Sequence, residues 1–235
     1  MPMKGNITVA WLDNGEVTSD FAVSMCDTFR VHSDRITGRV IVRSGGAITR
    51  GRNASIDQFL TQSNDEWVLL VDSDMSWTTD ALSVLIEHAH SKKVPVIGGL
   101  CFAQSGMRAG SFQTLIPTIY NKVEKGYMPL WEYPDNALVE CDGTGAAFLL
   151  VHRDVLLKIQ ADTGLGRWSW FHEGPTEDLA NWLSEDLTFC NLIKASGFPI
   201  YVHTGAKIGH VKGIDYVLDE AMYRMFQGRS ANADA

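Results

Sequence analysis

Two aspartates, Asp72 and Asp74, stand one residue apart at the end of an apolar run, Trp67 to Val71. The length and β-branched content of that run fit a buried strand of an α/β sheet. Open sheets of this kind present their ligand groups at the carboxyl ends of the strands. Carboxylates at i and i+2 repel each other unless a cation sits between the charges. Hard oxygen donors suit Mg²⁺ or Mn²⁺. The alternative is a solvated acidic turn that caps the next helix. Asp72-Ser73-Asp74 is the only Asp-x-Asp in the chain.

Four further clusters carry candidate chemistry. Arg50, Arg52 and Asn53 open a helix after the turn Ser44-Gly45-Gly46. A helix N-terminus attracts anions, and guanidinium groups pair with phosphate; surface arginines beside acidic neighbours are the competing reading. Gly143-Thr144-Gly145 has no bulky side chain, so a ligand can approach its backbone, or it is a tight turn between core strands. Glu185 and Asp186 begin a helix that Ser184 is placed to cap, where acidic residues also occur on dipole grounds alone. Trp168, Trp170, Phe171 and His172 form an aromatic patch on a Gly-flanked loop. Such a patch is a stacking surface for a sugar that gates the site, or it is core filler.

The elements that must position these groups follow from hydrophobic periodicity. Strands are predicted at Ile7 to Leu12, Arg39 to Arg43, Trp67 to Val71 and Val94 to Leu100. Helices are predicted at Thr18 to Arg30, Thr49 to Gln62 and from Thr79 to about Ser91. This alternation implies a mostly parallel sheet with helices on both faces. Residues 103 to 135 read as loops with an irregular strand or two. Regular structure returns with strands at Leu138 to Asp142 and Ala146 to Val151 and a helix from Arg153 to about Ala161. A Trp/Phe-rich loop covers 163 to 183. A helix over Leu187 to Ser196 stops at Gly197, and short strands lie at Ile200 to His203 and Ala206 to Gly209. Ile214 to Phe226 has an amphipathic pattern, and the chain from Arg229 reads as a frayed tail.

Composition narrows the function classes. The chain has 235 residues, 45% of them hydrophobic, and a net charge of -8. It has no block of Lys or Arg, so neither nucleic acid nor an anionic membrane surface is an expected partner. Cys26, Cys101, Cys141 and Cys190 lack the short spacings of a zinc site and read as reduced thiols. There is no signal-peptide core and no membrane span, so the expected location is cytoplasmic.

Four segments in fixed order resemble the GT-A nucleotide-sugar glycosyltransferases, in particular the inverting family-2 type and short bacterial and phage-encoded enzymes. They are GGAITRGRNASIDQFL, WVLLVDSDM, ECDGTGAAFLLVHRDVL and SEDLTFCNLIKASGFPIYVHTGAKIGHV. The resemblance implies an α/β GT-A fold: a Rossmann-like, mostly parallel central sheet flanked by helices, with a small antiparallel, loop-rich C-terminal part. It places the GT-A domain at 1–212, with the amphipathic helix and tail at 213–235. By the same resemblance, Asp72 and Asp74 hold a divalent cation against the donor diphosphate, with His210 as a further ligand. His203 is a weaker candidate. The mixed Asp/His set favours Mn²⁺ over Mg²⁺.

The resemblance also assigns the remaining positions. Leu12 and Asp13 would meet the base and ribose. Arg50, Arg52 and Asn53 would contact the donor nucleotide, and Ser73 joins them between the two aspartates. Gly143, Thr144 and Gly145 would lie beside the donor sugar or acceptor; independently of the resemblance, the aromatic loop makes Trp170 an expected substrate contact. Asp186, next to Glu185, would take the acceptor proton. The Gln-x-x-Arg-Trp signature of processive synthases is absent, which points to transfer of a single sugar.

The expected activity is therefore metal-dependent transfer of one sugar, from a UDP-sugar, to a hydroxyl on a glycan, protein or small molecule, with inversion. A metal-dependent nucleotidyltransferase is the rival enzyme, but the loop after the first strand, Asp13-Asn14-Gly15-Glu16, is acidic where that chemistry wants a basic residue. A nucleotide-sugar or glycan-binding module without turnover is the rival outside enzymology. The sequence leaves the sugar, the acceptor and the oligomeric state open.

Overall fold

Strand and helix alternate through the first hundred residues, as the periodicity predicts. The order is β1 (Ile7–Asp13), α1 (Ser19–Val31), β2 (Ile36–Arg43), α2 (Ile48–Gln62), β3 (Trp67–Val71), β4 (Met75–Trp77), α3 (Thr79–His88) and β5 (Val96–Leu100). Short strands follow: β6 (Phe102–Gln104), β7 (Leu115–Pro117), β8 (Ile119–Val123), β9 (Gly126–Pro129), β10 (Leu138–Cys141) and β11 (Gly143–Thr144). The rest comprises β12 (Phe148–His152), α4 (Arg153–Thr163), β13 (Gly174–Pro175), β14 (Trp182–Leu183), α5 (Glu185–Ala195), β15 (Ile200–Lys212), β16 (Tyr216–Leu218) and α6 (Glu220–Ala233). The structure, a computed structural model, describes residues 3–104, 115–176, 181–212 and 216–233.

The main sheet has the order β10-β15-β5-β12-β3-β1-β2, and β4 and β16 both pair with β15. β2, β1, β3, β5 and β15 run in one direction; β12 and β10 run against them. The sheet is thus mixed but mostly parallel. β12 is reversed because the chain leaves β5 through short strands that do not cross back over the sheet, and so re-enters beside the carboxyl end of β5.

β3 lies between β1 and β12 and is buried on both faces. Its residues alternate between two cores, as strand geometry requires. Val68 and Leu70 pack with α2, α4 and α5 side chains such as Phe59, Leu156 and Ile193. Trp67, Leu69 and Val71 pack with α1 and α3 side chains such as Phe21, Leu82 and Leu85. Arg153, at the β12–α4 junction, ties this layer to the end of α2. Its guanidinium donates to the carbonyls of Phe59, Leu60, Ser63 and Asp65.

Three expectations change. The described part of residues 103 to 135 holds four short strands, because β8 pairs with both β9 and β11 in a separate small sheet. The two short strands expected near 200 to 209 are one long strand, β15, with a register irregularity between His203 and Lys207. The C-terminal segment begins with β16 before α6, and the helix runs to Ala233. Leu218 and Tyr223 are buried in the larger core, which holds this segment against the sheet. No helix of the described residues is long and apolar enough to cross a membrane.

Candidate active site

Arg52 is the hub of the site. The turn before α2 has Gly45 and Gly46 at positive φ, a conformation glycine adopts without strain. A Cβ on Gly51 would come within 2.9 Å of the Leu12 and Ser44 side chains. Only a glycine lets the first turn of α2 approach β1 this closely, and the approach carries Arg52 beneath the ends of β1 and β3. Its Nη2 donates to both oxygens of Asp72, at 3.0 and 3.1 Å. Its Nη1 donates to Glu185 at 3.2 Å and to Asp186. The ring of Phe171 lies 5.4 Å from the guanidinium. The Arg52 side chain is only 7% exposed. Burial works against its charge, but Asp186, Asp72 and Glu185 outweigh that and raise its pKa.

Three carboxylates share this one guanidinium, so the cluster is negative when all are ionised. The stress falls on Asp186. Burial pushes its carboxyl up; Arg52 and the Ala146 N–H pull it down, and Glu185 and Asp72 push it up again, to about 6. Gly145 packs directly beside it: a Cβ there would touch the Asp186 Oδ2 at 3.7 Å and Thr118 at 3.9 Å. Nearby Tyr120 on β8 is also pushed up, to about 12, by burial first and by Asp186 second.

Asp74 has separate partners. β4 pairs antiparallel with β15, which sets Met75 opposite His210. The Val211 N–H donates to the Asp74 carbonyl at 2.8 Å. His210 Nε2 then lies 2.9 Å from Asp74 Oδ2, and Lys212 Nζ reaches the same oxygen at 3.3 Å. Burial would raise the Asp74 carboxyl, but His210 and then Lys212 hold it below the ordinary carboxylate range.

An oxygen and a nitrogen donor held side by side fit a divalent cation such as Mn²⁺. Asp72 does not complete the set, because Arg52 holds its carboxylate. Among the described residues, no group of three His, Cys, Asp or Glu side chains is placed to hold a metal.

The structure brings together Leu12, Arg52, Asp72, Gly145, Glu185 and Asp186; Leu12, Arg52, Asp72 and Ala146 line one crevice. Arg52, expected at the donor nucleotide, has carboxylate partners instead, because α5 delivers Glu185 and Asp186 to it. Asn53 is displaced from the expected role too. Its amide donates to the carbonyls of Thr49 and Phe171 and accepts from the N–H groups of Trp170 and Phe171, all from a buried position. Trp170 is fully buried and donates its indole N–H to the Leu156 carbonyl, so it is core and not a stacking face.

The other expected residues lie around this centre. Arg50 is exposed on α2. Asp13 pairs with Arg43 at 3.1 Å and accepts from the Gly15 N–H. Ser73 accepts the Thr18 N–H at its carbonyl. Thr144 donates its hydroxyl to the Thr118 carbonyl, and Gly143 packs beside Leu187 and Tyr127. His203 is buried against His88, with ring centroids 4.3 Å apart.

Sequence reasoning missed Lys212 and Tyr120. Lys212 had a signal: it lies two residues beyond His210 on one strand, and strand residues at i and i+2 share a face. Tyr120 had none, since its strand could not be told from loop.

Comparison with known proteins supplies the family. A model of the family described as glycosyltransferase-like family 2 matches residues 14–228. No curated protein matches the chain. Among solved structures, A197 from STIV superimposes with a TM-score of 0.54 at 16% identity, covering 92% of this chain and 91% of that one. GalNAc-T7, solved with UDP, GalNAc and Mn²⁺, gives a TM-score of 0.56 at 9% identity. That match covers 90% of this chain and 44% of GalNAc-T7. With the family model spanning most of its length and a GT-A-like sheet beneath the carboxylate cluster, the chain belongs to glycosyltransferase-like family 2 and is a glycosyltransferase.

Proposed function

We propose that the protein moves one sugar from a nucleoside diphosphate, UDP, to a hydroxyl acceptor on a glycan, protein or small molecule, with inversion at the anomeric carbon. The observation that carries this reading is Asp186, a carboxylate fixed by Arg52 and the Ala146 N–H and pushed up to about 6. A base with a pKa near the working pH is the most effective proton acceptor. The Asp186 side chain is 23% exposed, which leaves an acceptor hydroxyl access to it.

In this mechanism Asp186 accepts the acceptor proton. The freed oxygen bonds to the anomeric carbon while the bond from that carbon to the diphosphate breaks, and UDP leaves. The surplus negative charge around Arg52 favours the positive character that develops on the sugar. Arg52 acts as a positioning residue that holds Asp186 and Glu185 against Asp72. Leu12 and Asp13 would flank the base and ribose, and Asp74 with His210 would hold a divalent cation, Mn²⁺ in this reading, which would supply positive charge for the diphosphate leaving group. The GalNAc-T7 neighbour, solved with UDP and Mn²⁺, supports both choices by likeness of fold.

Asp186→Asn tests the reading, because it keeps the shape of the side chain and removes the proton acceptor. Transfer should fall by about 10²- to 10⁴-fold, with UDP binding nearly unchanged and the wild-type product inverted by NMR. A product of retained configuration rules out Asp186 as the base.

A further inference from the structure

On the C-terminal side of the molecule, the segment after β9 and the helix α6 border an open cavity of about 520 Å³. Its lining is Trp131, Glu132, Tyr133, Tyr223, Arg224 and Gln227. Trp131 is 40% exposed and presents part of its ring to this space. The Tyr133 ring lies near-parallel to that of Tyr223, with centroids 6.3 Å apart. Tyr223 is fixed from both ends: its hydroxyl donates to the Trp131 carbonyl at 2.7 Å, and its ring packs on Phe102.

Tyr133 is different. Its hydroxyl oxygen is buried and has no hydrogen-bond partner, alone in this among the described buried side-chain polar atoms. Buried polar groups are normally paired, so an unpaired one at a cavity wall calls for a partner that arrives. Burial raises the phenol's pKa, so it remains an O–H donor at ordinary pH.

The electrostatics narrow the partner. Arg224 is the only cation in the lining, and its charge is already met by Glu220 and Asp135. Glu132 adds a further negative charge. A phosphate, nucleotide or acidic ligand would therefore meet repulsion. A neutral ligand with an apolar face and several hydroxyls meets aromatic surface together with carboxylate, amide, phenol and remaining guanidinium groups. That mixture of apolar wall and a few polar groups is the pattern of a small-molecule pocket, and the volume lies within the usual range.

We propose that this cavity is a second saccharide site, which takes a neutral mono- or disaccharide unit against Trp131 and hydrogen-bonds it through Tyr133. Its position suggests a use. Phe102, on which Tyr223 packs, follows Cys101, whose thiol lies within the field of Asp72 and Asp186. A glycan seated here would hold its remote end while another unit meets the transfer site. That role rests on the transferase reading; the binding itself does not.

The test is saturation-transfer NMR on the full chain, with UDP and metal omitted, using lactose, maltose and N,N′-diacetylchitobiose as probes. At least one disaccharide should bind saturably. Trp131→Ala should weaken it tenfold or more, Tyr133→Phe should weaken it at unchanged thermal stability, and Asp186→Asn should leave it within twofold. Tyr133→Phe keeps the ring, so it stands as the test even if Trp131→Ala folds poorly. Binding by none of the three probes overturns the proposal. So does binding that survives both cavity variants, or binding lost in Asp186→Asn alone, which would place the sugar at the transfer site.

Discussion

Asp72 and Asp74 are two residues apart in the chain, yet they belong to different electrostatic environments. Asp72 meets a buried guanidinium shared with two carboxylates from α5. Asp74 meets an imidazole and an ammonium from β15, at a more exposed rim. The first arrangement locks a charge cluster into the fold. The second offers an oxygen and a nitrogen donor side by side, with a partly exposed lysine ammonium beside them that a cation could displace. An acidic pair that looks symmetrical in sequence has thus become one structural and one exchangeable carboxylate.

The largest effect should come from the locked side. Arg52→Met removes the only cation from three carboxylates, and leaving buried charge unpaired costs about 3 to 5 kcal/mol. Urea denaturation at pH 7 should show a loss of that order, smaller at pH 4, where the carboxylates begin to protonate. A loss no greater than that of His210→Ala would erase the distinction between the two sides.

The exchangeable side should govern metal-linked stability. In the wild type, Mn²⁺ with UDP at about a hundred times its Kd should add about 2.7 kcal/mol. Asp74→Asn should abolish the Mn²⁺-dependent part of the melting shift. Asp72→Asn should lower the baseline instead, since Arg52 loses a partner, and keep part of the Mn²⁺ response. Equal loss of that response in both variants would restore the symmetrical pair.

pH dependence sharpens the contrast further. A folded carboxyl pushed up to about 6 from the ordinary 3.8 holds its proton more tightly than the unfolded chain does. Its contribution is therefore favourable at low pH and is lost as pH rises from about 4 through 6. Wild-type stability should decline across that window relative to Asp186→Asn, and kcat/KM should rise with an apparent pKa near 6. Asp74 has the opposite sign: its pKa is lowered, so its contribution is present above the unfolded value and is lost as pH falls through the folded one. A flat pH profile for kcat/KM between 5 and 7 would detach Asp186 from the chemistry.

The smallest effect belongs to Lys212. Its ion pair with Asp74 is partly exposed, so Lys212→Met should change stability by no more than about 1 kcal/mol. Mn²⁺ titration calorimetry should nevertheless show tighter binding, because a competing positive charge has gone. Weaker Mn²⁺ binding in that variant would mean that Lys212 supports the cation's place.

The sequence reveals the strand that ends at Asp72 and the helix that carries Arg52, because both are long, strongly patterned elements. It does not reveal that Arg52 and Asp186, 134 residues apart, meet. No periodicity links residues so distant, and an arginine at a helix start reads equally as an anion site. The short strands β6 to β9 escape for a related reason: their apolar residues are few, and their pairing is decided by tertiary contacts. Trp170 and Asn53 look like ligand contacts by type and position, and only the packing shows them bonded to each other's surroundings.

The Asn53 side chain also has a dynamic consequence. It grips the backbone at Trp170 and Phe171 from the α2 side, while Thr188 on α5 holds the His172 carbonyl from the other. A segment fastened to two helices does not swing as a lid; it moves only when a helix moves. The amides of Trp170 and Phe171 should therefore resist deuterium exchange to nearly the same extent as the central strands, opening with the whole fold instead of by local fluctuation. The wall beneath Arg52 thus belongs to the most persistent part of the molecule, and a substrate would meet it already in place.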